Sequence, residues 1–220
     1  MNKNSEPQKR HITLLDDNPD GWFMSYARRL QEQLAACGHQ SQLTSKVEHI
    51  QPGDMAFFLS CQNIIKPDVL KLNKHNLVVH ASDLPQGKGW SPLTWKILES
   101  CNEIPVTLFE AVERVDAGPI YYQETLSFEG HELIDDMREA LGSLTVELCM
   151  RFVENYPNVQ GTPQSGEETF YPRRKPKDSE ISPYQTIAEQ FNQLRVADNE
   201  RYPAYFHYED HTYILKIEKA

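Results

Sequence analysis

Cysteine is scarce and scattered in this chain. Only Cys37, Cys61, Cys101 and Cys149 occur among 220 residues, and no two of them form a Cys-x-x-Cys pair. That spacing argues against a disulfide framework and against a thiolate metal site, and it favours reduced thiols. Long apolar runs are missing as well. Nothing approaches the ~18 consecutive apolar residues of a membrane-crossing helix. Residues Met1 to Arg10 are polar and lack the apolar segment of a signal peptide. The expectation is a cytoplasmic protein with no membrane partner and no metal. Positive charge is in deficit too: 22 Lys and Arg stand against 32 Asp and Glu, a formal net charge of −10. Such a surface is not built to neutralise a long phosphate backbone, so nucleic acid is not the expected partner. There is no internal repeat and no low-complexity tract. What remains is an ordinary globular composition, 39% hydrophobic and 25% charged.

The order of patterns along the chain suggests an α/β architecture. His11–Leu15 is a short apolar run closed by Asp16-Asp17-Asn18-Pro19-Asp20-Gly21, which reads as a buried strand and a turn. Across residues 22–37, Trp22, Tyr26, Leu30 and Leu34 keep an i, i+4 stripe that stops at Gly38. Residues 55–59 and 77–79 are further strand-like runs, with a short helix over 66–72 opened by Pro67 between them. Residues 90–101 read as helical, 104–110 and 120–126 as strands, and 131–156 as the longest helical segment. Strands alternating with helices imply a Rossmann-like, mainly parallel sheet with helices on both faces, in which ligands meet the carboxyl ends of strands. Composition changes at Pro157. A polar loop over 158–168 leads to Tyr171-Pro172-Arg173-Arg174-Lys175-Pro176, a helix over 183–196, and two strands, Ala204–Tyr208 and 212–217, joined by Glu209-Asp210-His211. The expected division is a main domain over 1–157, a connecting segment over 158–182, and a short C-terminal helix and β-hairpin extension over 183–220.

The residues best suited to chemistry lie in two segments. His80 ends the apolar run Leu77-Val78-Val79 and opens the loop Ala81-Ser82-Asp83-Leu84-Pro85; Asp116 follows 36 positions later in Val115-Asp116-Ala117-Gly118-Pro119. An imidazole at the rim of a sheet, with a carboxylate brought beside it, can relay a proton or stabilise an oxyanion. Together the segments resemble the folate-dependent formyltransferase family, whose signature reads roughly Asn-x-His-x-Ser-Leu-Leu-Pro, then Asp-x-Gly. The resemblance implies N10-formyltetrahydrofolate as co-substrate and His80 and Asp116 as catalytic residues. The family asparagine is replaced by Val78, so Asn63, in the loop after residues 55–59, is the substitute donor expected from topology.

The resemblance further implies folate contacts from Ser82, Leu84, Pro85, Lys88, Gly89, Trp90 and Asp116. The downstream segments Tyr171–Ser179, Leu194-Arg195-Val196 and Tyr202-Pro203-Ala204 look like the tail of sugar-nucleotide and methionyl-tRNA formyltransferases. Arg173, Arg174 and Arg195 are then the expected contacts to an anionic substrate. The asparagine-lacking pattern is similar to formyltransferases of pseudaminic-acid-type bacterial surface-sugar pathways. The implied function is therefore transfer of a formyl group to the amine of an amino sugar, with a homodimer compatible with the architecture. A formyltetrahydrofolate hydrolase and a catalytically inactive binding module are the alternatives.

Overall fold

The run His-Ile-Thr-Leu-Leu, His11–Leu15, forms strand β1, and all but His11 are buried. The structure, a computed structural model, describes residues 8–220. Around β1 lies a six-stranded sheet in the order β2-β1-β3-β4-β6-β7, where β2 is Gln40–Thr44, β3 Gly53–Phe58, β4 Asn73–His80, β6 Glu103–Glu110 and β7 Ile120–Ser127. β2, β1, β3 and β4 pair in parallel, and β6 returns antiparallel against β4. The mainly parallel α/β sheet expected from the sequence is thus what forms. Because β2 and β3 flank β1 on opposite sides, the strand order reverses there, which is where ligands usually bind in such sheets.

Alternation along the buried strands serves both faces. On one face Phe57 of β3 meets Phe152 of α4 (Ile134–Asn155) edge-on at 6.5 Å. On the other, Leu15, Ile50, Ala56 and Phe58 form a cluster packed by Val69, Leu70, Leu72 and Val78. Helix α1 (Met24–Ala36) buries Ala27, Leu30 and Leu34, the stripe that its spacing predicts.

Two expectations from periodicity needed adjustment. β2 was not legible as a strand because it is an edge strand of polar composition, Gln-Ser-Gln-Leu-Thr, with only Thr44 buried. The helix expected over 183–196 is confined to α5, Phe191–Arg195. Ahead of it, the buried Gln190 amide donates to the Ser182 carbonyl at 3.0 Å and accepts from the Ser182 N–H at 2.5 Å. That side chain ties up backbone groups a longer helix would need. The shorter elements are α2 (Pro67–Leu70), β5 (Lys88–Gly89), α3 (Pro92–Leu98), β8 (Phe170–Tyr171) and the hairpin β9 (Ala204–Tyr208) with β10 (His211–Leu215).

The chain divides into two compact units. The first comprises the described residues up to His80, then Thr107–Gln123 and Gly142–Gly166. The second comprises Ala81–Val106, Glu124–Leu141 and Glu167–Ala220.

Candidate active site

In the first unit, the apolar run of β4 delivers His80 as its last residue, half-buried, opposite Thr107 of β6. The Thr107 hydroxyl is buried and accepts from the Gln123 amide at 2.9 Å. Val78 lies two residues back on the same face of the strand, against the apolar cluster that includes Leu15 and Phe58.

Asp116 arrives by a different route from the one its sequence suggests. Since β6 runs antiparallel, Glu110 stands opposite Leu77, about 10 Å along β4 from His80 at the usual strand rise. The loop carrying Asp116 therefore leaves the sheet toward the amino end of β4, not from the rim where His80 ends. It does begin on the imidazole's face, because Ala111 packs on the same cluster as Val78. Below it, β4, β6 and β7 are pinned together: Glu110 Oε2 accepts from the Tyr121 hydroxyl at 2.8 Å and lies 3.0 Å from His75 Nδ1. The rings of His75 and Tyr121 both pack on Phe152.

The return of that loop explains the glycine two residues after the aspartate. A side chain at Gly118 would place its Cβ 1.8 Å from the Glu110 carbonyl oxygen, so only glycine fits. Asp116 itself is half-buried and takes a left-handed backbone, φ 53°, which aspartate tolerates better than most residues. One side chain from outside the loop fixes both: Gln164 Nε2 donates to the carbonyls of Asp116 at 3.0 Å and Gly118 at 2.8 Å. Sequence reasoning had no signal for Gln164, which sits in the polar stretch read as a connector.

Asn63 is exposed and committed. Its amide donates to Asp17 Oδ2 at 2.7 Å, and the backbone N–H groups of Gln62 and Asn63 also bind the Asp17 carboxylate. Beside it is a group the sequence hid inside a turn. Asp16 is fully buried at the end of β1; one oxygen accepts from the Asn18 N–H at 3.0 Å and the other has no hydrogen-bond partner. Burial pushes its carboxyl up to about 6, with the Asp17 charge adding to the rise and the Asn18 bond opposing it. Burial also pushes the neighbouring Cys61 thiol up to about 12, so that thiol is inert near neutral pH.

The second unit holds the other expected contacts. In the loop after His80, Ser82, Leu84, Pro85 and Lys88 are buried, whereas Gly89 and Trp90 remain half-exposed. Lys88 Nζ, 1% exposed, pairs with Glu168 at 2.7 Å, so its charge is neutralised within the fold. Glycine at 89 serves that packing too: β5 runs parallel to β8, and a Cβ at Gly89, with φ 93°, would meet the Tyr171 carbonyl oxygen at 2.5 Å. The absence of a side chain at 89 thus makes room for Tyr171. Trp90 and Arg173, assigned to separate roles from the sequence, come together: the Arg173 guanidinium lies 4.6 Å over the indole. Trp95 and Tyr171 stack beside them at 6.1 Å and 13°.

The three expected substrate arginines differ. Arg173 is exposed. Arg174 is half-buried and donates to the Asp178 carbonyl and Ser179 hydroxyl; burial lowers its affinity for the proton. Arg195 is 1% exposed, donates to Asn192 Oδ1 at 2.9 Å and to Asn102 Oδ1, and faces Glu132 at 3.6 Å. Its guanidinium cross-links the core, with Nη1 buried and without a hydrogen-bond partner. A half-exposed indole carrying an exposed guanidinium does suit a flat ring system bearing carboxylates, so these residues fit a folate.

Comparison with known proteins now bears on this geometry. The formyl transferase family profile matches residues 16–153, well over half of the chain and inclusive of His80 and Asp116. The chain belongs to the formyl transferase family. The expectation from the two motif segments is therefore met at the family level. Among curated relatives, the methionyl-tRNA formyltransferase of Thermodesulfovibrio yellowstonii is 26% identical over 153 residues, covering 68% of this chain and 49% of that protein. The chain thus spans about half the length of the curated relatives it matches.

Solved structures agree in fold. HypX from Aquifex aeolicus in complex with tetrahydrofolic acid superposes with a TM-score of 0.80 at 18% identity, over 96% of this chain and 38% of that one. A sugar N-formyltransferase from a Shewanella species superposes with a TM-score of 0.67 at 14% identity, over 96% of this chain and 98% of that one. The fold is common ground. No helix among the described residues is long and apolar enough to cross a membrane.

Proposed function

We propose that this formyl transferase moves a formyl group from N10-formyltetrahydrofolate to the amine of an amino sugar, a nucleotide-linked precursor of a bacterial surface glycan. One observation supports the reading: Val78, two residues before His80 on the same face of β4, and Ala111, which opens the loop leading to Asp116, pack against the same apolar cluster. The folate, when bound, supplies the formyl carbon. His80 hydrogen-bonds the developing oxyanion and carries the proton that the attacking amine loses to N10, as the bond between N10 and the formyl carbon breaks and tetrahydrofolate leaves. Asp116 favours the charged imidazolium and fixes its orientation. Asn63, released from Asp17, would supply the donor that Val78 does not. Trp90 and Gly89 contact the folate, and the buried Ser82, Leu84, Pro85 and Lys88 shape the loop that presents them.

A sugar acceptor is the substrate class named for the Shewanella sugar N-formyltransferase, whose fold the chain shares. A net charge of −10 also disfavours tRNA, the substrate class named for the curated relatives. The test is incubation with N10-formyltetrahydrofolate and a panel of free and nucleotide-linked amino sugars, read by mass for one added formyl group, with formate release measured in parallel. Formylated sugar that disappears in a folded His80→Ala variant is the expected result. Formate alone would make the protein a hydrolase, and neither product would leave a binding module.

A further inference from the structure

In a chain of net charge −10, four of the five residues from Arg173 to Lys177 are basic. Arg174 is turned to the fold, but Arg173, Lys175 and Lys177 are all exposed. The turn Pro176–Ser179 holds the two lysines at its start, with Asp178 Oδ2 accepting from the Lys175 backbone N–H at 2.6 Å. Among the described residues, no carboxylate pairs with the side chains of Arg173, Lys175 or Lys177. These three exposed cations fall within five consecutive residues, a basic ridge in sequence whose first member, Arg173, sits 4.6 Å over the Trp90 indole.

That origin decides what the ridge serves. Trp90 lies on the loop proposed to contact the folate, so a cation stacked on it belongs with the folate and not with the sugar acceptor. A folate is a flat ring system that continues into glutamate, and γ-linked glutamates extend it as a chain of carboxylates. We propose that Arg173, Lys175 and Lys177 form a binding ridge for the polyglutamate tail of the folate co-substrate. The ridge rests on the formyl-donor reading above and gives it a preference: longer tails bind more tightly. Arg173 is held in place by the indole, so it loses little side-chain freedom on meeting the first carboxylate, and its fork suits a carboxylate better than an ammonium would. Lys175 and Lys177, each at the end of a flexible stem, meet the carboxylates that follow as point charges.

Calorimetric titration of the whole chain with tetrahydrofolate bearing one or five glutamates tests this. The wild type should bind the pentaglutamate about tenfold more tightly at low salt, the sum of a few exposed ion pairs, and the ratio should shrink toward one in molar salt. Arg173→Gln and the double variant Lys175→Glu/Lys177→Glu should each bring the low-salt ratio close to one. Because the ratio compares two ligands on one sample, a partly unfolded variant does not distort it. Measurable binding with a wild-type ratio of one would overturn the ridge alone. So would a ratio untouched by both variants, or one untouched while Arg173→Gln weakens binding of a nucleoside diphosphate, which would move Arg173 to the acceptor. No binding of either folate would defeat the ridge together with the formyl-donor reading.

Discussion

A single amide nitrogen of Gln164 holds the loop of Asp116, reaching the Asp116 carbonyl at 3.0 Å and that of Gly118 at 2.8 Å. The proposed carboxylate is therefore positioned by a residue 48 positions away in the chain, in a segment with no regular structure. Two carbonyls share one donor, so its removal frees both at once.

Gln164→Ala should accordingly slow formyl transfer more than it weakens the fold. Loss of two main-chain hydrogen bonds at one half-buried position should cost about 1–2 kcal/mol in urea unfolding. A misplacement of Asp116 by about 1 Å should lower kcat by 10-fold or more. Gln164→Glu, which keeps the shape but loses the donor, should reproduce the kinetic defect. Wild-type kcat in both variants would remove Gln164 from any positioning role.

Gly118→Ala tests the other half of the loop. Its Cβ would fall 1.8 Å from the Glu110 carbonyl oxygen, a separation no rotamer can relieve. The hairpin from Glu110 to Ile120 must open, and the loss should reach about 3 kcal/mol or more. Thermal unfolding reads it. A melting temperature within a degree or two of wild type would contradict the tight return of this loop.

Much of this was legible and some was not, for physical reasons. His80 could be placed at a strand end because an uninterrupted apolar run precedes it, and Gly118 marked a turn because glycine beside proline usually does. The route of Asp116 could not be read: whether β6 runs with or against β4 depends on pairing, and its sequence pattern suits either direction. Partners distant in the chain were equally hidden. Lys88 was an expected folate contact, yet Glu168, 80 positions on, neutralises it, and Arg195 was an expected substrate contact, yet it is buried against Asn102 and Glu132. Asp16 read as one acidic turn residue among several, because burial is a property of the packed sheet and not of the local sequence.

The buried Asp16 makes a pH-dependent statement about stability. Its folded pKa of about 6 lies above the unfolded value of 3.8, so the folded state binds the proton more tightly. Between those values the folded chain keeps a proton that the unfolded chain releases. The group therefore costs nothing below pH 3.8, costs more as pH rises toward 6, and then levels off. A rise of that size corresponds to about 3 kcal/mol at most. Asp16→Asn keeps the acceptor for the Asn18 N–H and removes the charge, so it should stabilise the chain at pH 7 and confer no gain near pH 4. Urea unfolding at both pH values checks this, and an equal effect at the two would show that the carboxyl does not titrate in that range.

Val78 is, with Asp83, one of two positions at which this formyl transferase departs from the family signature, and the fold shows what the valine does there. It packs on the cluster of Leu15, Ala56 and Phe58 while lying two residues from His80 on the same face of β4. Val78→Asn sets two effects against each other. An amide against an apolar cluster, without a full set of partners, should cost about 1–3 kcal/mol of stability. The same amide, at the family's asparagine position, would supply an oxyanion donor of the kind typically worth about 10²-fold in kcat. If the reacting carbonyl lies where His80 implies, the variant should melt at a lower temperature yet turn over faster in single-turnover assays, with little change in folate affinity. Lower stability without any rise in rate would mean that another group already fills that role, with Asn63 the first to test by Asn63→Ala. A variant neither less stable nor faster would place Val78 outside both the cluster and the site, against the packing described above.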